Sequence, residues 1–310
     1  MSKNLRRRSF SVKHRTANNL LLALTAFIWG SAFVAQSVGM DHVGPFTFNS
    51  IRSFMGGIVL LPVILILRRQ SGRTNKNEKN GLLLWIGGIC CGIALAAASS
   101  LQQIGLIYTS AGKAGFITAM YILIVPVMGI FIGKKAGMKT WIGVALAVAG
   151  MYFLCITDGF HMARGDFLVF LCAVIFSVHI LLIDYFSPKT DGVALSCIQF
   201  FVCGILCAVP MLISERPKIA EIAGAWMPLA YAGVLSCGVG YTLQIVAQKN
   251  TDPTVASLIL SLESVFSVLT GWVILGEKLS GRELFGCVLV FIAVILAQLP
   301  KKKRQAGDIS

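Results

Sequence analysis

The chain has 310 residues, of which 56% are hydrophobic and only 13% charged. A water-soluble domain keeps about a quarter of its residues charged, so this chain lacks the polar surface that water requires, and a membrane is the solvent that fits. The net charge of +14 would suit nucleic acid, but the basic residues cluster between apolar runs, which points to a lipid bilayer and away from a nucleic-acid partner.

In chain order, residues 1–16 read as a disordered basic tail. The run 17–38 is longer than a signal-peptide core and has no clear cleavage site, so it reads as an uncleaved first helix. Nine more apolar runs follow, at 46–67, 82–108, 111–133, 140–157, 165–184, 192–213, 226–248, 253–275 and 283–299. Each approaches or meets the roughly 20 residues that a helix needs to cross the hydrocarbon core. Lipid tolerates no unpaired backbone, so runs of this length are helices. The fifth and tenth are the shortest. Pro126 falls in the middle of the fourth, where the lost N–H predicts a kink. The longest hydrophilic insertion, Arg68–Gly81, is too short for a soluble catalytic domain, and 300–310 is a second basic tail. The cysteines lie inside apolar runs with no CxxC pair and no His at ligand spacing, so they read as small apolar packers rather than disulfide or metal ligands.

The connections set the orientation. With the N-terminus inside, twenty Lys and Arg residues fall on the cytoplasmic side and six outside. By the positive-inside rule both termini are cytoplasmic in a multi-pass protein of the plasma membrane.

The chain repeats itself. Gly133, Lys135, Gly143 and Leu146 match Gly276, Lys278, Gly286 and Leu289 at a constant offset of 143. Leu101, Gln102 and Thr109 match Leu243, Gln244 and Thr251 at 142, and Ala26, Ile28 and Phe54 match Ala173, Ile175 and Phe201 at 147. Each copy holds five spans, one over 17–157 and the other over 165–299. Five is odd, so the second copy sits upside down relative to the first, an arrangement found in transporters. The expected fold is therefore an all-α membrane protein of ten transmembrane helices in two inverted five-helix repeats.

A few polar residues stand out. Glu263 lies about ten residues into the ninth span, near the bilayer midplane. An ionised carboxyl facing lipid there would cost several kcal/mol. It therefore faces a cavity as a proton-coupling candidate, or hydrogen-bonds its neighbours as a structural acid. Ser267 follows one turn later on the same face. The Met120 position answers to Glu263 in the first copy, so the chemistry is not duplicated. Arg52 is the only base inside a span. It can receive a carboxylate, pair with Glu263 or a helix C-terminus, or snorkel to the interface. Trp29 can stack on a solute or simply pack, and Gly30 admits a close backbone approach. Gln36, Gln102, Gln103, Tyr121, His179, Gln199, Tyr241, Gln244 and Gln248 punctuate the spans and should face inward, where some can line a solute route. His179 has no second ligand at metal spacing. No P-loop, HExxH or serine elbow is present, so the sequence offers no enzyme site and no cofactor site.

These residues resemble the drug/metabolite transporter superfamily, specifically its ten-helix EamA-type carriers. The resemblance rests on Phe27-Ile28-Trp29-Gly30-Ser31, on Ala111–Pro126, and on Thr242–Lys278 with its A-S-L-I-L-S-L-E-S-V-F and G-W-V-I-L-G-E-K stretches. Family members often carry Pro after the Glu of this motif, where this chain has Ser264. The resemblance implies two inverted repeats around a central cavity, alternating access, and export or exchange of small organic solutes such as amino acids, metabolites or drugs. It marks Trp29, Gly30, Arg52, Gln244 and Glu263 as the positions to carry over. Tyr121, Tyr241 and Ser267 complete the candidate solute pathway. A channel, or a solute-binding membrane protein without active transport, is the alternative.

Overall fold

The computed structural model describes residues 2–70, 81–109, 111–134, 137–155, 164–275 and 280–298. All regular structure among them is helical. Helix α1 spans Ser2–Gly39, α2 Pro45–Gln70, α3 Gly81–Gly105, α4 Ala111–Thr118, α5 Tyr121–Phe131, α6 Met138–Cys155 and α7 Arg164–Phe186. The second part holds α8 at Gly192–Pro210, α9 at Ile219–Gly224, α10 at Trp226–Ala230, α11 at Thr242–Gln248, α12 at Pro253–Leu260, α13 at Leu262–Leu275 and α14 at Gly281–Gln298. The N-terminal stretch expected to be disordered is helical from Ser2, continuous with the first span. The tail 300–310, and Lys135, Gly276 and Lys278 of the repeated pattern, lie outside the described residues.

Eight helical stretches among the described residues are long and apolar enough to cross a membrane. The fifth and tenth runs form α6 and α14, whose apolar cores, 140–150 and 284–296, are shorter. These two pack on each other more extensively than any other pair. Elsewhere α2 lies against α8, and α3 against α7 and α8. Helix α1 lies against α12–α13 and against 231–248, while α4–α5 lie against α7. Many outward side chains are apolar, among them Phe131, Leu82 and Val273, as a lipid-facing surface requires.

The breaks in the long spans have local causes. The fourth span is interrupted at Ala119–Met120 rather than at Pro126, which sits inside α5. Proline deprives the carbonyl four residues back of its partner and crowds that turn. The interruption itself lies about a turn before that carbonyl, in i→i+3 hydrogen bonds from Met120 N to Ile117 O, Ile122 N to Ala119 O and Leu123 N to Met120 O. The ninth span breaks at Ser261 with no proline. Instead Ser257, Ser261 and Ser264 donate to the carbonyls of Thr254, Leu258 and Ser261 at 3.0, 2.8 and 2.8 Å. Back-bonded serines bend helices in this way. The eighth span winds into a π-helical stretch over Tyr231–Tyr241, a distortion frequent at functional sites.

Two anchors orient helices that matter below. The Glu215 carboxylate caps α2 from 168 residues away, accepting from Phe46 N at 2.8 Å, Thr47 N at 2.7 Å and Thr47 Oγ1 at 2.6 Å. It serves the orphan N–H groups and positive pole of a helix start that has no capping side chain of its own. At the end of α5, Gly133 takes φ 78°. Its left-handed turn closes with bonds from Lys134 N to Gly129 O and from Gly133 N to Ile130 O. That turn brings Lys134 onto Asp184 of α7.

Candidate functional site

The helices surround a narrow cavity lined by Trp29, Ala32, Phe33, Gln36, Arg52, Gln102, Thr118, Tyr121, Phe176, His179, Ile180, Ser236, Tyr241, Gln244 and Glu263. Six of the eight sequence candidates are on this wall: Trp29, Arg52, Tyr121, Tyr241, Gln244 and Glu263. Gly30 and Ser267 stand behind it. A Cβ on Gly30 would fall 2.5 Å from Phe266 Cβ and 2.6 Å from Glu263 O, so the missing side chain is what lets α1 approach α13 beside the acid. Ser267 is buried one turn below Glu263, its hydroxyl without a partner.

The helix breaks deliver two of these groups. Tyr121 is the first residue of α5, and Glu263 the second of α13. Each therefore projects from a turn just past its break. The Tyr121 hydroxyl and the Glu263 carboxyl lie close enough to interact, yet neither the hydroxyl nor Glu263 Oε1 completes a hydrogen bond. Arg52 enters from α2, only 5% exposed, with its guanidinium carbon 5.7 Å from the centre of the Phe48 ring. Arg52 and Glu263 share the cavity, but no ion pair joins them among the described residues.

An aromatic arc forms one wall. The Trp29 and Tyr241 rings are 4.4 Å apart, Tyr241 and His179 6.1 Å, and His179 and Phe176 6.3 Å. His179 Nε2 lies 3.1 Å from Gln199 Oε1, which holds the imidazole edge. Gln36 donates its amide to Ala32 O at 3.3 Å, and Gln102 donates to Thr118 Oγ1 at 3.1 Å.

What remains unpaired defines the chemistry. Trp29 Nε1 and the Tyr121 hydroxyl offer protons; Gln36 Oε1, Gln244 Oε1 and Glu263 Oε1 offer lone pairs; all five are buried without partners. Each costs about 1–3 kcal/mol if left dry. A wall carrying a cation, an acid and five such atoms is suited to a polar guest, and its flat rings to an apolar body.

Sequence reasoning passed over Ala32, Phe33, Thr118, Phe176, Ile180 and Ser236 as site residues. The repeat offsets carried the signal. An offset of 147 takes Trp29 to Phe176 and Phe33 to Ile180, and 142 takes Gln102 to Gln244, and in these three pairs both members line the cavity.

Apolar spans around a polar cavity are the features that a membrane transporter requires. The sequence model of the EamA-like transporter family matches this chain twice, over 17–156 and 163–299. The chain is a member of that family, within the drug/metabolite transporter superfamily. It is 33% identical over 282 residues to an uncharacterized transporter of Archaeoglobus fulgidus, an alignment covering 91% of this chain and 85% of the relative. It is 22% identical to the uncharacterized inner membrane transporter YedA of Escherichia coli, over 88% of each chain. It is 23% identical to the WAT1-related protein At3g02690, chloroplastic, of Arabidopsis thaliana, over 89% of this chain and 68% of that one. A crystal structure with 19% identity superposes with a TM-score of 0.75, covering 91% of this chain and 96% of the other, a likeness of fold.

Proposed function

We propose that the chain is a secondary active transporter, an exporter or exchanger, that moves small organic solutes such as amino acids, metabolites or drugs across the plasma membrane by alternating access. Its ten helices form two inverted five-helix repeats, 17–157 and 165–299, with α6 and α14 completing the count and both termini cytoplasmic. The repeat reading is supported by the double family match. It is also supported by packing that keeps its pattern when the halves are exchanged: α3 on α7 answers to 231–248 on α1, and α4–α5 on α7 to α12–α13 on α1.

The observation that carries the functional reading is the cavity, where Arg52 and Glu263 face one space without an ion pair between them among the described residues. Arg52 receives an anionic group of the solute, such as a carboxylate, through its planar fork of donors. Glu263 binds and releases a proton or a cationic group of the solute, which couples the cavity to the proton gradient. Trp29 and Tyr241 hold the apolar body of the solute, and Tyr121 and Gln244 fix its orientation.

Thermal-shift screening of the purified protein against amino acids, nucleosides and cationic drugs identifies the solute, because a ligand selective for the folded state raises its apparent stability by mass action. Uptake into proteoliposomes under an imposed pH gradient then tests the function. Saturable, gradient-dependent uptake is expected. Uptake that rises linearly with concentration and ignores the gradient indicates a channel instead.

A further inference from the structure

Two arms of this molecule are built alike and fastened differently. The α4–α5 pair and the α12–α13 pair each begin with an eight-residue helix, break, and line the cavity near the break, with Thr118 and Tyr121 in the first and Glu263 in the second. The first arm is tied down. Near its start, Lys113 Nζ lies 2.6 Å from Asp166 Oδ2 on α7, and Thr109 Oγ1 donates to Asp166 Oδ1 at 2.8 Å. Near its break, Thr118 Oγ1 accepts from Gln102 on α3. At its far end Lys134 pairs with Asp184, again on α7.

The offsets of 142 and 147 carry Thr109, Lys113 and Asp166 to Thr251, Val255 and Asn19. None of the three repeats the tie. Val255 carries no charge, and Thr251 Oγ1 turns back to Ala247 O at 2.8 Å. Asn19 is buried on α1 with Oδ1 unpartnered. Farther along the arm, Ser257, Ser261, Ser264 and Thr270 all bond carbonyls of their own helix instead of a neighbour. The contact with α1 is close and apolar, with Phe27 and Phe266 edge to face at 5.3 Å and Gly30 against the α13 backbone. The counterpart of Lys134, Glu277, lies outside the described residues. A seam held by apolar contact can part and close without breaking polar bonds, whereas the α4–α5 seam must give up ion pairs and hydrogen bonds to open.

We propose that α4–α5 and α7 form the fixed wall of the cavity, and that the seam between α1 and α12, at Asn19 and Val255, is the one that parts. By the charge count that seam faces the cytoplasm, so solute passes between cavity and cytoplasm there. The passage of solute rests on the transporter reading; the motion does not.

Hydrogen–deuterium exchange of the full-length chain in lipid nanodiscs tests the motion without a solute. Amides of 253–260 should exchange about tenfold or more faster than those of 111–118. Asp166→Asn should raise exchange in 111–118 toward the rate of 253–260. The double change Asn19→Asp with Val255→Lys builds the missing pair and should slow 253–260 by about tenfold, while neither single change does so. Equal exchange of the two arms overturns the proposal, as does a double variant no slower than the single ones. Such a failure leaves the transporter reading untouched, since vesicle uptake tests that separately.

Discussion

The two family-matched stretches contribute to the cavity in two different ways. Where their residues correspond, they provide shape: Trp29 with Phe176, Phe33 with Ile180, and Gln102 with Gln244 line the same space from opposite halves. Where they differ, they provide charge. Arg52 corresponds to Gln199, which is occupied with His179, and Glu263 has an uncharged counterpart, Met120 at an offset of 143 or Tyr121 at 142. A doubled scaffold therefore yields a cavity that is nearly symmetric in form and polarised in chemistry, cationic toward α2 and acidic toward α13. The lesson is that packing tolerates duplication, because apolar volume is interchangeable, whereas the cation and the acid each occur in one half alone.

The strongest way to break this comparison is to remove the polarity. Glu263→Gln keeps the shape of the side chain and deletes its exchangeable charge. It should cut gradient-driven uptake by about tenfold or more and abolish its pH dependence in proteoliposomes, with unfolding temperature unchanged. Proton-driven uptake that survives in this variant removes Glu263 from the coupling. Arg52→Ala should weaken anionic solutes by about 2 kcal/mol, the scale of a charge-assisted hydrogen bond, and spare cationic ones. Isothermal titration with matched anionic and cationic ligands separates the two, and equal loss for both would make Arg52 structural.

The shared scaffold can be probed with paired glycines that face α13. Gly30→Ala places a methyl within 2.6 Å of Glu263 O and 2.5 Å of Phe266 Cβ. Overpacking of this kind costs about 1–3 kcal/mol, visible as a lower unfolding temperature in detergent. Gly115→Ala meets only Ser267 and Phe33 at 3.5 and 3.6 Å, ordinary contact, and should leave that temperature unchanged or slightly raised. A loss smaller than that of Gly30→Ala belongs to Thr118→Val, which removes the acceptor for Gln102 at 3.1 Å and should cost about 1 kcal/mol. Unfolding temperature reads this too, and a loss as large as that of Gly30→Ala would mean the Gln102 bond carries more of the scaffold than packing does.

Much of this architecture was legible before any coordinates. Lipid removes the competing solvent, so an apolar run of about 20 residues is a helix by necessity, and an acid or base in such a run must face inward. That reasoning reached Arg52 and Glu263, and it placed Tyr121, Tyr241 and Gln244 among the inward groups. It did not reach Phe33, Phe176 or Ile180, because an apolar residue that lines a cavity looks like one that packs against lipid. It put the interruption of the fourth span at Pro126, whereas the helix breaks at Ala119–Met120, where the hydrogen bonds shorten to i→i+3.

By itself, then, the sequence determined the helical membrane class, eight of the spans, the family and the polar residues worth attention, since each follows from local composition and period. Tertiary structure alone decided the partnerships. Glu215 caps α2 from the far end of the seventh span. Lys113 meets Asp166 while Asn19 Oδ1 finds no partner. Arg52 and Glu263 share a cavity without bonding each other. Each of these depends on where residues far apart in the chain come to rest, and helix packing sets that by the fit of whole surfaces, which no local pattern encodes.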